Sequence, residues 1–405
     1  MNTNLITPET AEALMAHHMP RFGTVVCPLE EAAGGILRAA VVADRDLPPF
    51  DRVTMDGIAI AYAAWQGGTR KFQIEDTAAA GHPAPPLRAP AGGALRVMTG
   101  AMLPPGADAI VPVEECSFEH DTVTVQDTAQ VAPLQFLHSQ GSDRRQGDTV
   151  LAAGLRLRAP HISIAAAVGQ STLTISERPP IAVVSTGDEL KAVHEPVEPY
   201  QIRSANDAGL RGALVANGFP QVDTLHVHDD PQATRDVLQK VLHAYRVVLI
   251  TGGVSMGQHD HVPAALNALG VTQHFHKIRQ KPGKPMWFGT HPSGVPVFAL
   301  PGNTVSALVC LHRYVLPALE QAQGAAPRPT PQVQLESALR FNWPLTGFVP
   351  VRLSWTRTGE CRAHPQTTNT SGDFSALHTS DGFVELPAGK DLFVAGEALR
   401  YYAWQ

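Results

Sequence analysis

The stretch IAVVSTGDE, residues 181–189, runs without a break from an apolar segment into a polar, glycine-containing turn. An uninterrupted apolar run of this length suits a parallel strand buried on both faces. The same pattern recurs in RVVLITGGVSMGQHD (246–260) and in VPVFALPGNTVS (295–306). Helix patterns lie between these runs. Asn206 reads as the cap of a helix with Leu210, Ala213 and Leu214 on one face and Gly218 at its stop. Pro231 opens a second helix with Val237, Leu238, Val241 and Leu242 at helical spacing, Ala264 to Leu269 reads as a short third, and Asn303 starts a fourth. VDTLHVH and QHFHKIR read as further strands. Strands alternating with helices predict a doubly wound α/β sheet.

In such a sheet the strand-to-helix loops emerge at the carboxyl edge, so the three polar turns are expected side by side. Gly187, Gly252, Gly253, Gly257 and Gly302 let backbone N–H groups, with Ser255 among them, approach a phosphate. None of the loops fits GxGxxG or a P-loop; Gly283-Lys284 is followed by Pro285. Asp188, Glu189 and Asp260 are carboxylates in the same loops, suited either to a divalent cation or to helix caps. Asp229 and Asp230, before Pro231, read locally as caps. Lys277, Lys281 and Lys284 form a basic cluster stiffened by Pro282 and Pro285, a preset attraction for an oxyanion or a solvated basic turn.

Outward from this core, Thr7 and Pro8 open an N-terminal helix, and a second helix is expected from about Pro28 to Val42. Short β-like runs punctuated by Pro/Gly turns fill 44–144, and 145–169 returns to a helix-like pattern. GAAPRPTPQ (324–332) reads as a linker, followed by strand-like segments of a small barrel or sandwich. The net charge of −6 over 405 residues argues against a nucleic-acid partner. No apolar run is long enough for a membrane span, and no signal peptide is read at the start. Cys27, Cys116, Cys310 and Cys361 are far apart in sequence, which predicts free thiols in a cytoplasmic protein.

The blocks TMDGIA (54–59), VMTGAMLPPGADAIVPVEE (97–115), STGDEL, DDP, TGGVSMGQHD, KPGKPMWFG and LPGNTVSAL, in this order, resemble the molybdopterin molybdenumtransferases, the MoeA and gephyrin E-domain family. The resemblance implies a multidomain α/β plus β fold. Its parts are an elongated, discontinuous helical domain (1–43 and 145–178), a β-rich second domain (44–144), a MoCF-type molybdopterin-binding α/β domain (179–324) and a C-terminal β-barrel (330–405). It also implies a homodimer that inserts molybdate into adenylylated molybdopterin and releases AMP. The implied partners are the upstream adenylyltransferase and recipient molybdoenzymes, and the implied metal is Mg2+. Carried over by position, Asp56, Thr99, Asp143, Glu189 and Asp260 are the expected catalytic residues, with Glu189 and Asp260 holding the cation. Gly187, Asp188, Asp229, Gly252, Gly253, Ser255, Gly257, Lys277, Lys281, Lys284, Gly302, Ser306, Arg352 and Ser371 are expected to bind substrate.

The chain departs from the family pattern in places. HSQGSD (138–143) stands where an arginine-rich segment is usual, followed by Arg144 and Arg145; Ile58 replaces a tyrosine; Thr304 replaces a proline; Gln258 and His259 remove an acid. Such changes leave open a divergent member that binds molybdopterin or molybdate without turnover, and the neighbouring reaction, adenylylation of molybdopterin. The pairs His226/His228, His259/His261 and His274/His276 offer strand-spaced ligands for a transition metal, or ordinary histidines.

Overall fold

A computed structural model describes residues 5–254, 261–366 and 373–404. The chain divides into two compact units. One comprises Met1–Ala39, Ala153–Arg158 and Thr172–Gln405, the other Ala40–Ala152 and Ala159–Ser171.

The larger unit holds the α/β sheet. Its strands are β1 (Ile181–Thr186), β2 (Val222–Val227), β3 (Val247–Thr251), β4 (Thr272–His276), β5 (Trp287–Thr290) and β6 (Pro296–Leu300). The order is β2-β1-β3-β6-β5-β4; β2, β1, β3 and β6 run parallel, while β5 is antiparallel to both β6 and β4. Side chains of β1 alternate between two cores. Ile181 and Val183 join Leu210, Leu214 and Phe298 on one face; Ala182 and Val184 join Leu238, Val241 and Leu266 on the other. Helices α1 (Ala205–Ala216) and α4 (Thr304–Cys310) cover the first face, α2 (Pro231–Ala244) and α3 (Val262–Ala268) the second. Both faces are therefore dry, which is why these strands read as continuous apolar runs. The N-terminal helix Pro8–His18, capped by Thr7, adds Ala11 and Met15 to the first core.

Strands Gln332–Leu335, Thr346–Trp355, Cys361–Pro365, Gly382–Leu386 and Ala398–Ala403 close into a five-stranded barrel around Val333, Val351, Ala363, Val384 and Leu399. The barrel is tied to the helix that continues α4 by Arg313, whose Nε lies 3.0 Å from Glu385 while Tyr402 donates to the same carboxylate at 2.7 Å. Both Arg313 and Glu385 are buried, and each has a second ionic partner, Glu12 at 3.2 Å for Arg313 and Arg400 at 3.8 Å for Glu385, so the pair sits in a network rather than alone.

The smaller unit is built on a mixed six-stranded sheet in the order Ala109–Pro112, Gly57–Ile60, Gly93–Val97, Lys71–Ala78, Thr122–Val125, Cys116–Glu119. Gly57 stands where a Cβ would run into the backbone carbonyl of Val111 on the neighbouring strand. Two expected helices are corrected. Residues 28–42 hold no α-helix: the strand Thr24–Pro28 ends there, a short 3-10 turn, Leu29–Glu31, follows, Ile36 and Leu37 bridge to Arg156 and Ile175, and Val41–Val42 is a strand, because Gly34 takes a positive φ of 77° and, with Gly35, turns the chain back. In 145–169 the helix is confined to Ala159–Ala167, and Thr149–Leu151 is a strand paired with Val41–Val42.

Candidate functional site

The loops after β1, β3 and β6 meet as the topology requires. They line a cavity of about 630 Å3 with Ser185, Thr186, Gly187, Glu189, Thr251, Gly252, Gly253, Gly302 and Asn303 in its wall. Close packing of these loops rests on Gly252. It has φ +92°, and a Cβ there would sit 2.6 Å from the Thr186 carbonyl oxygen. Asp229, after β2, reaches the same wall, while its neighbour Asp230 caps α2 by accepting from the Ala233 N–H at 2.7 Å. The described lining thus offers two carboxylates, Glu189 and Asp229, and one cation, Arg203. Arg203 was not singled out from the sequence; it precedes α1, where nothing in its spacing marks it.

Asp188 is engaged beside this cavity rather than in its lining. Its Oδ1 accepts from the Asp229 N–H at 3.2 Å and contacts His228 Nδ1 at 3.0 Å; these contacts, the backbone bond foremost, hold its carboxyl below the usual range. His226 Nε2 lies 2.8 Å from the Gly187 carbonyl oxygen. The two histidines, whose rings meet edge-on with centroids 5.0 Å apart, therefore brace the first loop. Ring nitrogens of His274 and His276 contact the Thr290 hydroxyl and the Val254 carbonyl. Among the described residues no cluster of three metal-ligating side chains forms. Ser255, Gly257, His259, Asp260 and Ser371 lie outside the described residues.

The lysine loop begins at the same sheet edge, because His276 Nε2 lies 3.1 Å from the Val254 carbonyl. It is closed by the Lys277 N–H on the Met286 carbonyl at 2.8 Å and the Ile278 N–H on the Lys284 carbonyl at 2.9 Å. Lys277 is half-buried with φ +75°; Lys281 and Lys284 are exposed, and the Lys281 ammonium rests 3.5 Å above the Trp343 ring. None of the three is in the described lining of the cavity. Gln280 anchors the loop from beneath. It is fully buried, accepts from the Tyr314 hydroxyl, and its amide nitrogen lies 3.6 Å from Cys310 Sγ. Ser306 is buried inside α4, and Arg352 is exposed on the barrel strand Thr346–Trp355; neither is in the described lining.

The smaller unit has its own polar centre. Asp56 Oδ1 accepts from the Thr99 N–H at 2.6 Å and the Thr99 hydroxyl at 2.8 Å. These bonds, the backbone one foremost, hold an exposed carboxyl below its ordinary value. Asp143 is reached through a chain in the altered HSQGSD segment. Arg52 Nη2 lies 2.9 Å from His138 Nδ1, and His138 Nε2 lies 2.9 Å from Asp143 Oδ1. Arginine only donates, so Nδ1 accepts and Nε2 carries the proton toward Asp143. Arg144 donates to the Asp143 carbonyl at 2.7 Å.

Three family models tile the chain: the MoeA N-terminal region (domain I and II) at residues 6–169, a probable molybdopterin binding domain at 182–321, and the MoeA C-terminal region (domain IV) at 332–404. A molybdopterin molybdenumtransferase from Synechocystis sp. is 38% identical over 401 residues, covering 99% of this chain and 100% of its own length. The chain belongs to the molybdopterin molybdenumtransferase (MoeA) family. A Synechococcus elongatus member is 35% identical, covering 91% of this chain and 92% of its own. The crystal structure of a molybdopterin biosynthesis moeA protein from Pyrococcus horikoshii OT3 matches with a TM-score of 0.82 at 26% identity, covering 99% of this chain and all of that one. The molybdenumtransferase fold therefore extends through the described barrel and both units. Among the described residues, no helix is long and apolar enough to cross a membrane.

Proposed function

We propose that this family member acts in molybdenum cofactor biosynthesis as a transferase, taking adenylylated molybdopterin and molybdate and releasing molybdenum cofactor and AMP. The observation that carries the reading is the meeting of three glycine-bearing strand ends with Glu189, Asp229 and Arg203 around one cavity of about 630 Å3. Backbone N–H groups of the Gly253 and Gly302 turns would receive the phosphates, while those of Gly187 and Gly252 donate to the Val227 and Leu300 carbonyls and fix the loops. Glu189 is a hard oxygen donor of the kind magnesium takes and would hold Mg2+ at the cavity wall, where Asp229 adds a second carboxylate; Asp260, the other expected ligand, lies outside the described residues. When bound, the ion would supply charge neutralisation at the phosphates. Lys277, Lys281 and Lys284 are assigned to molybdate, whose two charges the exposed ammonium groups can meet. Asp56, Thr99 and Asp143 are assigned catalytic roles from the smaller unit, with the Asp56 carboxyl held below its ordinary pKa by Thr99. Holding both anions in register replaces a bimolecular encounter by a positioned one. The four-part domain division belongs to the same proposal.

The test is direct. Purified protein is given adenylylated molybdopterin, magnesium and molybdate, and AMP release is followed together with reconstitution of a molybdoenzyme. Molybdate-dependent AMP release is expected, and Glu189→Ala should slow it by about 100-fold, the scale of a lost electrostatic stabiliser. Tight binding of the adenylylated pterin without AMP release would replace the transferase by a carrier, and an unimpaired Glu189→Ala variant would remove the cation role.

A further inference from the structure

One helical turn touches the ends of three adjacent parallel strands. Ser204, Asn206 and Asp207 open α1. Asp207 Oδ2 accepts from the Ser185 hydroxyl, on β1, at 3.0 Å and from the Ser204 hydroxyl at 2.6 Å. Asn206 Nδ2 donates to the Thr251 Oγ1, on β3, at 2.9 Å and to the carbonyl of Gly302, just past β6, at 2.7 Å. The orientation of the Asn206 amide is fixed by its partners. Thr251 gives its hydroxyl proton to the Pro301 carbonyl at 3.2 Å, so its oxygen must accept, and a carbonyl can only accept. Both bonds therefore need the NH2 group, which leaves Oδ1 buried without a hydrogen-bond partner among the described residues. A buried acceptor left unmade costs stability. A helix cap would have its oxygen on backbone N–H groups; this side chain turns its nitrogen to the loops instead.

We infer that Asn206 and Asp207 are positioning residues that staple the ends of β1, β3 and β6, and so set the spacing of the three glycine loops around the cavity. The inference rests on the proposed function only in taking that cavity to hold the phosphate-bearing substrate. The staple supplies what glycine turns lack. Such turns have a wide choice of backbone conformations, and a preset cradle requires that choice to be narrowed before the ligand arrives. Asn206 reaches across the cavity wall to Gly302, so loss of its two donors frees the second and third loops while leaving the sheet hydrogen bonds in place.

The experiment compares wild type with Asn206→Ala, Asn206→Asp, Thr251→Ser and Thr251→Val in the full chain. Amide hydrogen exchange is read in peptides covering 247–254 and 296–304, with the α2 and barrel peptides as internal controls. AMP binding is measured by calorimetry, and KM and kcat for adenylylated molybdopterin by AMP release. Asn206→Ala and Asn206→Asp should exchange at least tenfold faster in those two peptides and leave the controls unchanged. AMP affinity should fall at least tenfold, and KM should rise at least tenfold while kcat at saturation changes less than threefold. In the exchange of those two peptides Thr251→Ser, which keeps the hydroxyl, should match wild type, whereas Thr251→Val, which leaves Asn206 only its bond to Gly302, should be faster than wild type. Exchange and AMP affinity within twofold of wild type in Asn206→Ala would overturn the staple, and so would Thr251→Ser failing as badly as Thr251→Val. If wild type itself neither binds AMP nor releases it, the proposed function fails, and the exchange comparison still decides the staple.

Discussion

Two carboxylates in this molecule each accept two hydrogen bonds and are driven in opposite directions. Asp56, in the smaller unit, accepts from the N–H and the hydroxyl of Thr99, and its carboxyl is held below the ordinary value. Asp207, in the larger unit, accepts from the hydroxyls of Ser204 and Ser185, and burial pushes its carboxyl up despite those bonds. The count of bonds is the same; access to water differs. An exposed carboxylate keeps most of its hydration and gains from each donor, whereas a covered one loses hydration that two hydroxyls do not replace. Its other oxygen, Oδ1, is buried without a hydrogen-bond partner among the described residues. The contrast separates a group suited to meet something outside the chain from one committed to holding the chain together.

The largest effect that sharpens the comparison is expected from Gly57→Ala, next to Asp56. The new Cβ would collide with the Val111 carbonyl in the strand pairing that frames the Asp56 turn. Overpacking against backbone should destabilise the smaller unit by about 3 kcal/mol. Amide hydrogen exchange across a urea series in peptides covering 57–60 and 109–112 reports on that unit; a variant as stable as wild type would mean that the pairing is looser than described.

Next in size is a pair of opposite pH slopes. Asp207 has a folded-state pKa raised above its ordinary 3.8, so its contribution to stability is fully present below that value and is lost as pH rises through the folded pKa. Asp56 has a folded-state pKa lowered below 3.8, so its contribution is present above that value and is lost as pH falls through the folded pKa. The stability of wild type minus Asp207→Asn should therefore fall as pH rises above 3.8, and that of wild type minus Asp56→Asn should fall as pH drops below 3.8. Parallel slopes would erase the distinction between the two turns.

These turns also mark what the sequence does and does not reveal. Apolar runs ending in glycine turns disclose the sheet, because strands buried on both faces read as continuous apolar runs, and runs this short bounded by glycine favour strand over helix. They also disclose that the turns share an edge, since parallel topology leaves no alternative. The role of Asn206 is not legible in this way. An asparagine at a helix start reads as a cap, and only the fold brings it to Gly302, ninety-six positions along the chain. Arg203 is hidden for the same reason. The lysines of KPGKP are visible as a cluster, but Lys281 settles on Trp343, a barrel-domain residue that no local pattern connects to it. The helix expected over 28–42 fails at Gly34 and Gly35, where turn geometry outweighs a run of helix-forming residues.

The smallest effect is the most discriminating about Asp56. Thr99→Val keeps the backbone N–H that donates to Asp56 and removes only the hydroxyl, while the β-branched shape holds the side chain in a similar rotamer. The backbone bond is the larger cause of the lowered pKa, so the Asp56 carboxyl should move only part of the way back toward 3.8. A carboxyl-detected NMR titration of wild type and variant reads this directly. A full return to the ordinary value would show that the turn itself opens without the hydroxyl, and that Thr99 preorganises Asp56 by fixing the loop. No movement would show that the hydroxyl bond is lost to water in solution, leaving the backbone of the Met98–Thr99–Gly100 turn as the group that keeps Asp56 charged.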